Sequence, residues 1–187
     1  MRIKQAVSYL IISVLFSLHV FAQEKIKFNS INMGGLIIGA NGNSAVIQTL
    51  NGVTYKNLFT GIGVGIDYYK NRTIPLFFDL RTSIPKTNFF VFADPGYNFP
   101  SNNRPDDKVS YFTTYDFSGG FYSELGLGYK VRLSKRSALL FSSGFSYKEL
   151  NNKTGIVTQC LIPPCPVDYT TYKYTYSRIA LKAGVSL

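Results

Sequence analysis

Residues 117–133 read FSGGFYSELGLGYKVRL, and their alternation decides the fold. Odd positions carry Phe117, Gly119, Phe121, Ser123, Leu125, Leu127, Tyr129, Val131 and Leu133. Even positions carry Ser118, Gly120, Tyr122, Glu124, Gly126, Gly128, Lys130 and Arg132. Successive side chains of a strand point to opposite faces. A period of two therefore builds one apolar face and one face bearing Glu124, Lys130 and Arg132. A helix would mix the two sets on every face.

The same period recurs on both sides of this stretch. In 58–68, Leu58, Ile62, Val64, Ile66 and Tyr68 oppose Gly61, Gly63, Gly65 and Asp67. In 74–84, Ile74, Leu76, Phe78, Leu80 and Ile84 oppose Asp79, Arg81 and Ser83. In 137–147, Leu139, Phe141, Phe145 and Tyr147 oppose Ser142, Gly144 and Ser146, with Leu140 out of phase. In 177–187, Ile179, Leu181, Ala183, Val185 and Leu187 oppose Arg178, Lys182 and Ser186. Segment 89–99 is mixed, because Phe90 and Phe92 share a parity with Asp94 and Asn98. Two further strands are predicted at 30–38 and 45–55, from β-branched content and the Asn41-Gly42-Asn43 turn signal between them. The total is eight. Nine charges fall opposite the apolar parity: Asp67, Asp79, Arg81, Asp94, Glu124, Lys130, Arg132, Arg178 and Lys182.

Loop lengths add a second regularity. Short turns are expected at 85–87 and 134–136. Long polar connections are expected at 100–116 and 151–172, and both fall on the opposite end of the strands from those turns. Composition agrees: 14 Tyr, 15 Phe and 16 Gly among 187 residues suit strands and tight turns. One long apolar run exists, at the N-terminus, so a bundle of membrane helices is excluded.

That run, MRIKQAVSYLIISVLFSLHVFAQ (1–23), has the basic start, apolar middle and small-residue end of a secretory signal peptide, with cleavage expected after Ala22. Residues 23–187 then form one domain. The leader contains His19, the single histidine, so the exported chain has no imidazole for catalysis or metal binding. Cys160 and Cys165, in CLIPPC, are expected to form a local disulfide in an oxidising compartment.

Strands can cross a bilayer only as a closed barrel, because hydrocarbon offers no partner to a free backbone group. Nine to eleven tilted residues suffice to span. Even strand number, short turns at one end and long loops at the other complete the pattern of an all-β, eight-stranded antiparallel up-and-down transmembrane β-barrel. The apolar parity faces lipid and the charged parity faces a narrow, side-chain-filled lumen.

Four stretches carry a family resemblance: GIGVGIDYY (61–69), PLFFDLRTSI (75–84), GGFYSELGLGYKVRL (119–133) and SRIALKAGVSL (177–187). They resemble the small OmpA/OmpX-type outer-membrane β-barrels of Gram-negative bacteria, above all the "outer membrane protein beta-barrel" group of about this length. The resemblance implies outer-membrane residence and this fold; it implies no specific activity. Two departures stand out: Pro95 inside a strand, and a terminal Leu187 where such barrels often end in Phe.

Other motifs have ordinary readings. Gly61, Gly63 and Gly65 lack the spacing of a dinucleotide-binding loop, and wall glycines account for them. The nine charges read as an interior ion-pair network, with Asp79, Arg81 and Glu124 the first to pair. The tyrosines and Phe99 near strand ends (Tyr68, Tyr69, Tyr97, Tyr147, Tyr172, Tyr174, Tyr176) read as an interfacial girdle. The basic excess is spread out: Lys56, Lys86, Lys135 and Arg136 at the turns, and Lys70, Arg72, Arg104, Lys108, Lys153 and Lys173 toward the loops. Contact with outer-membrane lipid and lipopolysaccharide explains it better than nucleic acid does. The expected function is structural or surface-binding, porin-like and non-enzymatic, with an extracellular ligand or protein at loops 100–116 and 151–172 and no cofactor or metal. A narrow passive pore is the alternative. A lipid-modifying enzyme is less favoured without histidine.

Overall fold

The computed structural model describes residues 26–40, 42–101, 113–134, 137–158 and 165–187. The expected leader 1–22, Asn41 of the expected first turn, and Lys135 and Arg136 lie outside these residues. So does Cys160, and with it the expected bridge to Cys165.

Among the described residues nine strands form: β1 (Lys27–Gly39), β2 (Gly42–Tyr55), β3 (Leu58–Asp67), β4 (Thr73–Ser83), β5 (Phe89–Pro100), β6 (Thr113–Ser118), β7 (Gly120–Arg132), β8 (Ala138–Val157) and β9 (Val167–Ser186). Eight of them make the wall. β6 and β7 run along the same neighbour, β8, through Ser118↔Asn151 and Tyr122↔Lys148. Between these pairs one chain advances four residues and the other three, so one extra residue is accommodated as a β-bulge. Gly119 sits there. A Cβ on it would lie 2.0 Å from the Asn98 carbonyl oxygen, so only glycine fits without a shift of backbone.

The wall closes because β9 pairs with both β8 and β1. Its stagger can be followed by partners from Phe28 through Val53, Thr60, Leu80, Ala93, Leu125, Phe145 and Ile179 back to β1 at Ile38. The circuit returns ten residues beyond its start. With ordinary strand spacings this gives a tilt of about 40° and a backbone radius of roughly 8 Å.

Parity then sorts every wall residue. Outward stand Ile62, Val64, Leu76, Phe78, Leu80, Leu125, Leu127, Phe141, Phe145, Ile179 and Leu181, all exposed. Inward stand Asp67, Asp79, Arg81, Asp94, Glu124, Arg178 and Lys182, all buried. This is the reverse of a water-soluble barrel. The ten residues of β3 rise about 25 Å along the axis at that tilt, the height of a membrane barrel's apolar band.

β8 and β9 are twenty residues each. They rise about twice that height and stand well beyond the band. Here the expected outer loops are corrected. Residues 113–116 of the 100–116 loop belong to β6, and 151–157 and 167–172 of the 151–172 loop belong to β8 and β9. In water above the bilayer both faces of a sheet are solvated, so Thr, Asn and Tyr extend the ladder without alternation. The two early strands also run longer than expected, from 27 and from 42.

Pro95 causes no bulge. The β4–β5 ladder runs Phe77↔Gly96 and resumes at Leu80↔Ala93 in the same register. The missing donor costs a local gap in the pairing. Pro75 opens a similar gap between Val64↔Leu76 and Asp67↔Thr73.

Inward glycines make room for aromatic rings. Gly63 pairs with Phe77, Gly128 with Phe90 and Gly126 with Phe92, and each ring lies over its glycine. These rings join Ile31, Met33, Leu50, Phe59, Tyr122 and Leu140 in a buried cluster inside the barrel. The expected charged lumen is thus apolar over part of its length. A Cβ at Gly128 would lie 2.1 Å from Phe90 Cζ, whereas at lipid-facing Gly34 it meets nothing nearer than 4.0 Å. Gly128→Val should therefore cost about 1–3 kcal/mol by overpacking. Gly34→Ala should be neutral within about 0.5 kcal/mol. Urea unfolding of both variants in lipid vesicles measures the difference, and equal midpoints would refute this account of the glycines.

Candidate functional site

The strands gather the polar residues of the lumen into three groups. Toward the outer end, Asp67 at the close of β3 receives Arg178 Nη1 from β9 and Lys148 Nζ from β8, the latter at 3.3 Å. Its other oxygen accepts the Tyr69 amide at 2.8 Å. Lys148 also donates to the carbonyls of Tyr69 at 3.1 Å and Asn71 at 3.0 Å. It thereby ties the β3–β4 connection down over the lumen. Arg178 donates to Ser146 Oγ at 2.8 Å and lies 5.2 Å from the centre of the Tyr69 ring.

In the middle, a closed ring of contacts spans β2, β7 and β9. Lys182 Nζ meets Glu124 Oε1 at 2.6 Å and donates to Gln48 Oε1 at 2.8 Å. Gln48 Nε2 donates to the Tyr122 hydroxyl at 3.3 Å, and that hydroxyl donates to Glu124 Oε2 at 2.9 Å. The third group is Asp79 with Arg81, bonded at 2.7 Å. The Arg81 guanidinium sits among the rings of Phe90, Phe92 and Phe59, 4.9, 5.5 and 6.0 Å from their centres. Aromatic faces stabilise a desolvated cation, so this apolar cage can hold one.

Sequence parity places Asp67, Asp79, Arg81, Glu124, Arg178 and Lys182 in these groups. Asp94 is buried beside them, 1% exposed and paired across the ladder with Glu124, and its oxygens have no hydrogen-bond partner among the described residues. Lys130 is half-buried and Arg132 is exposed at the turn end; neither has an ion pair among the described residues. Lys148, Gln48 and Tyr122 are additions. Lys148 continues the inward parity of Ser142, Gly144 and Ser146 one step beyond the segment that the alternation marks, and that parity is the signal that could have found it. Gln48 lies in a strand with poor alternation. Tyr122 is masked by its aromatic type.

The girdle is corrected in part. Tyr68, Tyr97, Phe99 and Phe121 point outward at the outer rim, with Tyr97 on Phe99 and Phe121 against Tyr147. Phe89 on Tyr129 marks the turn end. Tyr69 is instead buried in the mouth, with Tyr176 edge-on at 5.8 Å between ring centres. Tyr172 and Tyr174 share the inward parity of Arg178. Above the rim, on the outward face, the Tyr147 hydroxyl and then the Lys173 ammonium hold the Glu149 carboxyl below its usual range, and Glu149 in turn raises Lys173.

Two shallow grooves, of about 410 and 580 Å³, lie in the outer wall. They form where Ala93, or Gly34, Ser143 and Ala183, interrupt the bulky outward rows, and their walls are Leu80, Leu125, Leu127, Phe141 and Leu181. Among the described residues no group of three or more His, Cys, Asp and Glu side chains is arranged to hold a metal ion.

No protein-family model matches the sequence, and no curated protein matches it. Among solved structures, the chain is similar to outer membrane protein AlkL, determined by solid-state NMR in DMPC lipid bilayers. Identity is 14%, the TM-score is 0.49, and 88% of this chain and 89% of that one are covered. It is also similar to outer membrane protein OprG from Pseudomonas aeruginosa, at 12% identity and TM-score 0.46, covering 88% of this chain and 97% of that one.

Asp67 answers two buried cations at once. Asp67→Asn would strand both, at a cost of about 3–5 kcal/mol. Glu149→Gln, which loosens a pair whose lysine is exposed, should cost at most about 1 kcal/mol. Urea titration of the two variants in lipid vesicles separates them.

Proposed function

We propose that the chain is a small outer-membrane barrel of structural or surface-binding type, with its lumen filled and its contacts made at the outer end. One observation carries the reading: the outward face is apolar while the inside holds bonded charges stacked with aromatic rings. In water such a wall would aggregate; in hydrocarbon it is matched to its solvent. The closed ladder leaves no edge for lipid to meet. An export leader at 1–22 and the family resemblance would support an outer-membrane compartment, and hydrocarbon chains suit the two wall grooves.

At a backbone radius of roughly 8 Å, two facing side chains meet across the axis. Gln48 of β2 and Tyr122 of β7, on opposite sides of the wall, do so at 3.3 Å, and Phe77 of β4 packs on Tyr122 with ring centres 5.7 Å apart. Lys182 of β9, between them on the wall, reaches Gln48 on one side and Glu124 on the other. The interior is a second core, and a solute path would have to break it. This supports a plugged barrel over a passive pore. Catalysis has little to build on, since residues 23–187 contain no histidine. The outer rim, with exposed Lys70, Arg72, Lys153 and Lys173, suits lipopolysaccharide phosphates.

The test is fractionation joined to gel mobility and conductance. The protein should sediment with outer membranes, require detergent for release, and migrate differently before and after boiling. In planar bilayers it should give no stable single-channel steps. Recurrent steps of one amplitude would replace this reading with the passive pore, and recovery in the soluble fraction would end it.

A further inference from the structure

We propose that the outer mouth of the barrel binds a neutral saccharide, on a tyrosine stripe of β9 and two asparagine amides of β5 and β8. The inference rests on the membrane-barrel reading, which makes this end the one open to the outside.

The inward row of β9 runs Lys182, Ala180 and Arg178 and then continues above the rim as Tyr176, Tyr174 and Tyr172. The rings recur every second residue, about 7 Å apart along the strand. Tyr176 is anchored on Tyr69. Tyr174 and Tyr172 are 40% and 51% exposed. An interfacial girdle does not account for them, because they lie on the inward parity and above the outward aromatic rim. On the neighbouring strand Leu150 pairs with Tyr174 and Asn152 with Tyr172, and Phe117 of β6 pairs with Asn152.

The polar half of the site is unusual. Asn98 and Asn152 are 0% and 5% exposed, both on the inward parity. Among the described residues, Asn98 Nδ2 and Asn152 Oδ1 have no hydrogen-bond partner. Buried amide groups are nearly always bonded. One of these atoms donates and the other accepts, and a hydroxyl is the group that answers both. A carboxylate answers only the donor and an ammonium only the acceptor. A hydrocarbon answers neither and leaves both atoms unpaired. The charges below, Asp67, Lys148 and Arg178, are already bonded to one another. Flat aromatic faces beside a few placed amides therefore fit a ligand with apolar C–H faces and many hydroxyls, a chain of sugar rings.

The experiment uses full-length protein purified from outer membranes in detergent, titrated calorimetrically with neutral hexasaccharides of glucose, mannose, galactose and N-acetylglucosamine. At least one should bind, with decane-saturated micelles as a control that does not compete. Tyr174→Ala and Asn152→Ala should each weaken that binding about tenfold. Tyr147→Ala, on the outward rim, should not. Heat-modifiable mobility of each variant certifies folding, and Tyr172→Ala replaces Asn152→Ala should the latter not fold. Folded protein that binds none of the four sugars, or whose affinity is unmoved by the mouth variants, overturns the site. Loss of heat-modifiable mobility in the wild type would instead remove the barrel reading beneath it.

Discussion

The pairing of β1 with β9 is the constraint on which everything else depends. A backbone N–H or C=O facing hydrocarbon without a partner costs several kcal/mol. A sheet with two open edges would leave two such rows. Joining Asn32 to Val185 and Gly39 to Arg178 removes them both. Once the sheet is closed, strand number and stagger fix the radius, and the radius fixes how much side chain must fill the inside. The chain has no freedom to choose a polar channel and this stagger independently of its side chains.

The filling shows two solutions to one packing problem. Near the turn end, rings lie flat over glycines, Phe90 on Gly128 and Phe92 on Gly126, because a wall of full-sized residues would leave no room for rings between them. Further out, long cations reach to acids on non-adjacent strands, as Lys182 does to Glu124 and Arg178 to Asp67. A buried ion pair gives little net stability but is severe when half removed. Its value here is in registration: a one-residue slip of β9 would turn Arg178 and Lys182 into lipid. The charges thus select the register that the apolar wall alone would specify less sharply.

How much of this was legible in the sequence follows from where the two faces meet different solvents. In β3, β4 and β7 one face meets lipid and the other meets charge, so the period of two is sharp, and the inward set of Asp67, Asp79, Arg81 and Glu124 is readable from it. Above the rim both faces meet water. The contrast then vanishes at about Tyr147 on β8 and Ser177 on β9, although the ladder continues for ten more residues on each. The loops 100–116 and 151–172 were overestimated for that reason, and Lys148 and the inward parity of Tyr172 and Tyr174 fell outside the readable window. The apolar plug was obscured differently. Phe90 and Phe92 sit on the charged parity, and only the paired strand's glycines, which no single-strand pattern contains, show why they belong inside.

The outer extension poses the edge problem again, now in water. Above Arg178, β9 pairs among the described residues with β8 alone, and β6 likewise pairs with β8 alone. Open edges in water invite pairing with other chains unless they are made unattractive. Here the β9 edge carries Asp168 and Lys173, and the outward face is tied by Lys173 to Glu149 at 2.9 Å and by Lys153 over the Tyr169 ring at 4.3 Å. These contacts are individually weak because both lysines are exposed. Their sum need only hold β6, β8 and β9 upright on a wall that is already rigid. A charged, locally braced sheet can therefore project above the membrane, and among the described residues no further strand closes it or lies over its inward face.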